Sequence, residues 1–358
     1  MGDNLRSIDW NITTVVRRFT YGLYWFNHGQ YILTSRIYFA LKIMQAGYYP
    51  ILAIVGVPVN LITIVILKKR NCGLSKCVTC YLMAMAMADQ LVIILDLILR
   101  QIPIVFVEQF DFLGSIPLCN IHAVLLFAAT DCSVWFTVTF TFDRFVAICC
   151  PKLKSKYCSK KTTSVVLGIV TVLSCLKNIF WYFMFSTGYR MANTPWFCQV
   201  PDYVYYSPVW GAIDFLHNIL TPCVPFVLIL LLNVFTVRHI VVSSRARRRL
   251  RTHSSGVRPR DPEMESRRKS IILLFIISAN FILLWSMFMV YSIWYRMLYF
   301  GYNSIHLHNF VMELGVMLQL LSCCTNTAIY AVTQTQFRQQ LKNVLKFPFT
   351  PFLQFIRS

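Results

Sequence analysis

Residues 116–151 read IPLCNIHAVLLFAATDCSVWFTVTFTFDRFVAICCP, and the way this stretch ends decides how the whole chain is read. From 116 to 142 it is dominated by apolar and small side chains, with Asp131 as its one acid. That length exceeds the ~20 residues needed to cross a bilayer as a helix. Charge returns abruptly at Asp143-Arg144-Phe145 and continues as Lys152, Lys154 and Lys156. A segment that stays apolar over a membrane thickness and then turns basic is a transmembrane helix leaving the lipid on the cytoplasmic side. Six further stretches of this kind occur, at about 46–67, 79–99, 162–185, 209–236, 270–295 and 306–332. In lipid each must form a helix, because backbone groups left unpaired there find no water. The expected fold is therefore an all-α membrane protein, a bundle of seven transmembrane helices over residues 46–332.

Composition points the same way. The chain is 57% hydrophobic and 13% charged, about half the charge of a soluble domain. The net charge of +20 is spread unevenly over the loops. Between Arg238 and Lys269 eleven basic residues face three acidic ones, and Lys68, Lys69, Arg70, Lys76, Lys160 and Lys161 flank the same side. That side is expected to be cytoplasmic. Seven spans then place the amino terminus outside, where Asn11-Ile12-Thr13 offers a glycosylation acceptor. Residues 1–45 are expected to form an extracellular segment rich in aromatics, with the first span serving as insertion signal. Residues 243–270 are expected to form an exposed basic loop able to meet anionic lipid. Residues 333–358 are expected to hold a short amphipathic helix and a tail, because Phe337, Leu341, Val344 and Leu345 share one helical face.

Ionisable residues inside a bilayer cost at least ~2.5 kcal/mol each on insertion scales and point to function. Asp89 stands midway along the second span with no basic residue within a turn. Two readings stand: a site for a bound cation, with Ser133 and Asn326 as further ligands, or a protonated carboxyl that joins helices. Asp96, Asp131, Asp214, His217 and Glu313 lie in the outer halves or middles of their spans. Pointing inward, they would give a net acidic cavity for a ligand with a cationic group. Asp96 and Arg100, one turn apart, are expected to pair with each other. At the other end, Asp143 can hold the Arg144 guanidinium until a docking helix competes for it.

In this order and spacing the residues resemble the rhodopsin-like G-protein-coupled receptors, over about Tyr48 to Phe337. Gly56-Val57-Pro58-Val59-Asn60 is similar to the first-span pattern, and Leu82 to Asp89 to the second-span segment ending in Ala-Asp. Cys119 precedes Asp143-Arg144-Phe145 by the family interval, and Val146 to Pro151 continue it. Pro225, the pair Phe281 and Trp285, and Asn326 to Tyr330 followed by Phe337 match the fifth, sixth and seventh spans.

The resemblance implies roles. Cys119 and Cys198 would form the outer disulfide. Asp89, Ser133 and Asn326 would form a pocket for an allosteric sodium ion, with no other cofactor. Pro225, Val134 and Phe281 would form a packing relay under Trp285, the rotamer switch and floor of the ligand pocket. Asp143, Arg144, Phe145, Asn326 and Tyr330 would control coupling to a heterotrimeric G protein. An extracellular peptide or small amino-acid-like ligand is the expected stimulus, and neither catalysis nor nucleic-acid binding is expected.

Departures from the family pattern qualify this. Met287 and Thr327 replace the prolines usual in the sixth and seventh spans, and proline is the commonest cause of a sharp kink. Phe145 replaces the usual Tyr, and Leu126 replaces the Asp of amine receptors. The third span looks nearest an orphan, peptide-receptor-like branch associated with aromatic amino acids, whose ligand-holding polar residues do not recur here. Two alternatives keep the same composition: a multi-span transporter or channel, which predicts repeats or paired broken helices, and a decoy or constitutively active receptor of the same fold.

Overall fold

The computed structural model describes residues 33–69, 72–106, 116–183, 207–251, 262–299 and 309–346. Among them every long element is a helix, and seven are long and apolar enough to cross a membrane. We label them α1 (Leu33–Lys69), α2 (Lys76–Phe106), α3 (Ile116–Cys149), α4 (Lys160–Phe183), α5 (Pro208–Asn218, Ile219–Cys223 and Val224–Arg251), α6 (Pro262–Tyr299) and α7 (Asn309–Thr333). After a break at Gln334, α8 runs over Thr335–Lys346. The chain is thus a seven-helix membrane bundle with an eighth, amphipathic helix.

Local chemistry sets the ends of these helices. Ser75 caps α2 by accepting from the Val78 amide at 3.3 Å, and Ser159 caps α4 by accepting from the Thr162 amide at 3.2 Å. Each satisfies one amide that the first turn leaves without a partner. Pro208 opens α5 and Pro262 opens α6, where the missing N–H is harmless.

Three observed extents differ from the sequence expectation. Helix α1 starts at Leu33 rather than 46, so residues 33–45 leave the amino-terminal segment. Hydropathy hides this stretch because Lys42 and Gln45 interrupt it, yet both side chains are used: they meet Glu313 of α7 at 3.6 and 2.7 Å. The basic stretch 243–270 is in large part helical, since α5 runs on to Arg251 and α6 begins at Pro262. Arginine is a good helix former, and helix extending into water carries no apolar signal. The irregularity of α5 falls at Thr221-Pro222, one turn before Pro225, where Thr221 takes an extended conformation (φ −151°, ψ 107°).

Helices α3 and α7 are the most enclosed and α4 the least. The outward faces present Ile51, Ile54, Ile169, Leu173 and Leu283 to lipid, which explains why the spans read as continuously apolar rather than striped. Near Arg144, Tyr81, Leu82, Phe140, Leu273, Tyr330 and Phe337 form one buried cluster, against which Leu341 and Val344 of α8 pack. Farther along the bundle, Tyr49, Leu52, Ile93, Leu97, Met317 and Leu320 join α1, α2 and α7. Gly315 allows a close approach of α7 to α6, since a Cβ there would lie 2.9 Å from both Cα and N of Phe288.

Candidate functional site

The Arg144 end of the bundle, inner in the predicted orientation, is built around one carboxylate. Asp143 is fully buried and holds both Nε (3.0 Å) and Nη2 of Arg144 through Oδ2. Its Oδ1 accepts from the Cys77 thiol of α2 at 3.0 Å, and that sulfur also contacts Thr163 Oγ1 of α4 at 2.8 Å. Arg144 in turn donates from Nη1 to Ser270 Oγ of α6 at 3.1 Å. Four helices are therefore tied through two adjacent residues of α3. Neither Cys77 nor Ser270 was legible in the sequence, because the contacts are tertiary and neither residue type stands out in a span. Phe145 is half-buried and packs near Phe142, its ring centroid 6.4 Å away. In the loop after α3, burial and then the Asp143 charge push the Cys158 thiol up to about 11, so it stays protonated at neutral pH.

Midway along the bundle the structure brings Asp89, Ser133 and Asn326 together. Asp89 is 1% exposed, and it accepts from Ser133 Oγ at 2.5 Å and from Asn326 Nδ2 at 2.7 Å. Around it, Asn60 Nδ2 donates to the Cys323 carbonyl at 3.0 Å, and Trp285 Nε1 donates to Ser322 Oγ at 3.3 Å. Thr327, at the position of the missing proline, places its hydroxyl 2.6 Å from that of Thr63 and 3.4 Å from the Val59 carbonyl. Phe281 and Trp285 stack with centroids 5.3 Å apart and share a cluster with Val134, Val138 and Ile229. Pro225 is buried one turn before Ile229. Tyr330 is fully buried with its ring edge-on to Phe337, and its hydroxyl has no partner among the described residues.

Above Trp285 lies a cavity of about 240 Å³. Of the residues expected to line it, Asp96, Asp214, His217 and Trp285 do so, and Arg100 joins them. Asp96 and Arg100 form the expected i, i+4 pair at 3.2 Å, within a π-helical stretch of α2 over Ile93–Gln101. Asn218 Nδ2 donates to Asp214 Oδ1 at 3.2 Å. One wall is aromatic: Phe127 stacks on Trp181 at 4.3 Å, and His217 meets Trp181 edge-on at 5.3 Å.

Two expected pocket residues lie elsewhere. Asp131 faces α4, where Lys177 Nζ approaches to 2.7 Å and Asn178 Nδ2 to 2.5 Å; Lys177 also donates to Thr221 Oγ1 of α5 at 3.0 Å. Glu313 faces α1. A buried carboxylate goes where a cation can neutralise it, as Asp131 does against Lys177, and the half-buried Glu313 likewise meets Lys42 on a neighbouring helix. The cavity is less acidic than expected, because Arg100 offsets one of its two acids: it carries an acid–arginine pair, a second acid, an imidazole and aromatic rings. Lys177 was missed, although a lysine within an apolar span is itself a signal. Cys119 is buried at the start of α3 and takes part in a disulfide. Its expected partner Cys198, and the sequon at Asn11, lie outside the described residues.

Comparison with known proteins extends over most of this architecture. The family model described as 7 transmembrane receptor (rhodopsin family) matches residues 59–330. The chain is similar to "Probable G-protein coupled receptor 142" of Mus musculus, with 25% identity over 312 residues, covering 85% of this chain and 73% of that protein. It is also similar to "G-protein coupled receptor 39" of Bos taurus, with 27% identity over 161 residues, covering 43% of this chain and 34% of that protein.

Proposed function

We propose, because the chain belongs to the rhodopsin family of seven-transmembrane receptors, that it binds an extracellular ligand in the cavity above Trp285 and activates a heterotrimeric G protein through its Arg144 end. The family is one of receptors rather than of enzymes. The observation that carries the reading is the Arg144 junction. Arg144 is held by Asp143 on its own helix and by Ser270 on α6, the helix that also carries the Phe281–Trp285 stack about three turns farther on. A ligand that shifts Trp285 would shift Phe281 and favour a state in which the inner end of α6 swings away. Arg144 would then exchange Ser270 for carbonyl acceptors on a G-protein helix.

A cavity of about 240 Å³ lies just below the usual range for small-molecule sites. It suits a small amino-acid-like molecule or the tip of a peptide. Arg100 can receive a carboxylate, Asp214 a cation, and Phe127 and Trp181 a ring. The Asp89 carboxylate and Ser133 hydroxyl are hard oxygens that fit a small monovalent cation such as sodium, with Asn326 orienting the carboxylate. We assign the amino terminus to the outside of the plasma membrane, with glycosylation at Asn11 and a Cys119–Cys198 disulfide. The basic inner face would lie against anionic lipid.

A second reading, a receptor active without ligand, is favoured by the neutrality of the Arg144–Ser270 contact, which is a weaker restraint on α6 than an ion pair. One experiment addresses both. G-protein dissociation is followed in cells expressing the chain or its Arg144→Glu variant at matched surface levels, with and without amino-acid and peptide libraries. The proposal expects the variant to lose all signalling; unchanged signalling would overturn it. Basal signalling in the parent that no ligand increases would favour the second reading.

A further inference from the structure

A second cavity, of about 350 Å³, opens at the Arg144 end between the starts of α2, α6 and α8. Arg144, Lys269, Ser75, Ser270, Gln334 and Gln336 supply its polar lining, and no Asp or Glu is among the described residues that line it. The two serine hydroxyls are available to donate. Ser75 Oγ already accepts from the Val78 amide and Ser270 Oγ from Arg144, so the proton of each is left for a third group. Gln334 is 6% exposed, yet its Nε2 has no hydrogen-bond partner among the described residues. A buried amide without a partner is costly, and this one sits where the cavity can supply an acceptor. The twelve-residue helix α8 begins here through Thr335 and Gln336, adding the positive end of its dipole. Gly73, with φ of 67°, lets the Gln336 amide pack onto its Cα, since a Cβ there would lie 2.4 Å from Oε1. Exposed Lys68, Lys69, Lys76 and Lys152 stand on the same side of the bundle and raise the local concentration of anions.

We propose that this cavity is a site for a phosphate-bearing ligand, its oxoanion held by Lys269, Arg144 and the Gln334 amide. Donors reaching in from α2, α3, α6 and the α7–α8 junction match the three or four oxygens of a phosphate better than the two of a carboxylate. The ligand could be a soluble phosphate ester or a lipid headgroup. On the coupling reading given above, its occupancy would compete with the G protein, but the binding site itself does not depend on that reading.

The test uses the purified full-length chain in phosphatidylcholine nanodiscs, with unfolding followed by tryptophan fluorescence. Inositol hexakisphosphate is titrated in one arm, and phosphatidylinositol 4,5-bisphosphate is included in the discs in another. A ligand that binds the folded state raises the unfolding temperature in proportion to occupancy. The expected result is stabilisation in at least one arm, the responding arm identifying the source. Gln334→Glu, which keeps the size of the side chain and adds a repelling charge, should weaken binding at least tenfold, as should Lys269→Ala. Stabilisation equal in parent and both variants would mean that surface lysines alone bind, and would overturn the site; so would absence of stabilisation in both arms. Because no G protein is present, failure of coupling and failure of this site remain distinguishable.

Discussion

Removing the Ser270 hydroxyl tests the coupling mechanism at its narrowest point. In the structure Arg144 Nη1 donates to Ser270 Oγ at 3.1 Å, with Arg144 buried and Ser270 half-buried. A hydrogen bond to a charged group contributes about 1.5–3 kcal/mol, and the cavity beside it is open to water, so the lower end applies. A loss of about 1.4 kcal/mol changes an equilibrium about tenfold. If roughly 1% of receptors are active at rest, Ser270→Ala should raise that to roughly 10%. Ser270→Glu places a carboxylate against the same guanidinium, and opposite charges 4 Å apart attract by about 4 kcal/mol at an effective dielectric of 20. Basal activity should then fall below that of the parent. The assay is ligand-free G-protein dissociation in cells, normalised to surface expression. Basal signals for Ala and Glu variants that both match the parent would refute the idea that this contact restrains α6.

Gly315→Ala should destabilise the fold by about 1–3 kcal/mol, because the new methyl would meet Phe288 backbone atoms at 2.9 Å and not a side chain that can rotate away; a thermal midpoint equal to the parent's would contradict this. Asp131→Asn leaves Lys177 facing a neutral amide and should cost about 3 kcal/mol, the low end for a broken buried pair, since Lys177 keeps some exposure. Asp131→Asn with Lys177→Met should recover most of that loss in the same melt, and a double variant no better than the single one would show that the charges are not the issue. Cys158, pushed up to about 11, should be only about 0.1% thiolate at pH 8, since the thiolate is the reactive form. Its alkylation by iodoacetamide, read by peptide mass spectrometry, should rise about tenfold per pH unit until near pH 11; a rate already at its plateau at pH 8 would disprove the assignment.

Much of the membrane architecture was legible because lipid-facing residues such as Ile54, Ile169 and Leu283 make each span apolar on the outside as well as the inside. The meeting of Asp89, Ser133 and Asn326 could be anticipated only through spacing shared with a family, since nothing in the period of one helix says which residues of another it will face. The same gap explains Asp131 and Glu313. Both sit in the part of a span where a pocket residue would sit, but their directions were settled by Lys177 and by Lys42 with Gln45, on helices whose neighbours hydropathy does not reveal. The π-helical stretches at Ile93–Gln101 and Ile219–Cys223 add a second difficulty, because they shift the helical phase on which a face is predicted. Residues 33–45 of α1, interrupted by Arg36, Lys42 and Gln45, were read into the amino-terminal segment, and the basic extensions of α5 and α6 as an exposed loop, because binary patterning detects burial and not helicity.

Thr327 changes what holds α7 in shape. A proline would bend the helix covalently, at any temperature and in any surroundings; here the constraint is a hydroxyl pair with Thr63, 2.6 Å across. Such a pair is firm only while nothing else competes for it, and hydrocarbon offers no competitor. A water molecule does. How firmly α7 is held against α1 at this level is therefore a property of how dry the bundle interior is, so that water entering between Thr63 and Thr327 would loosen that junction.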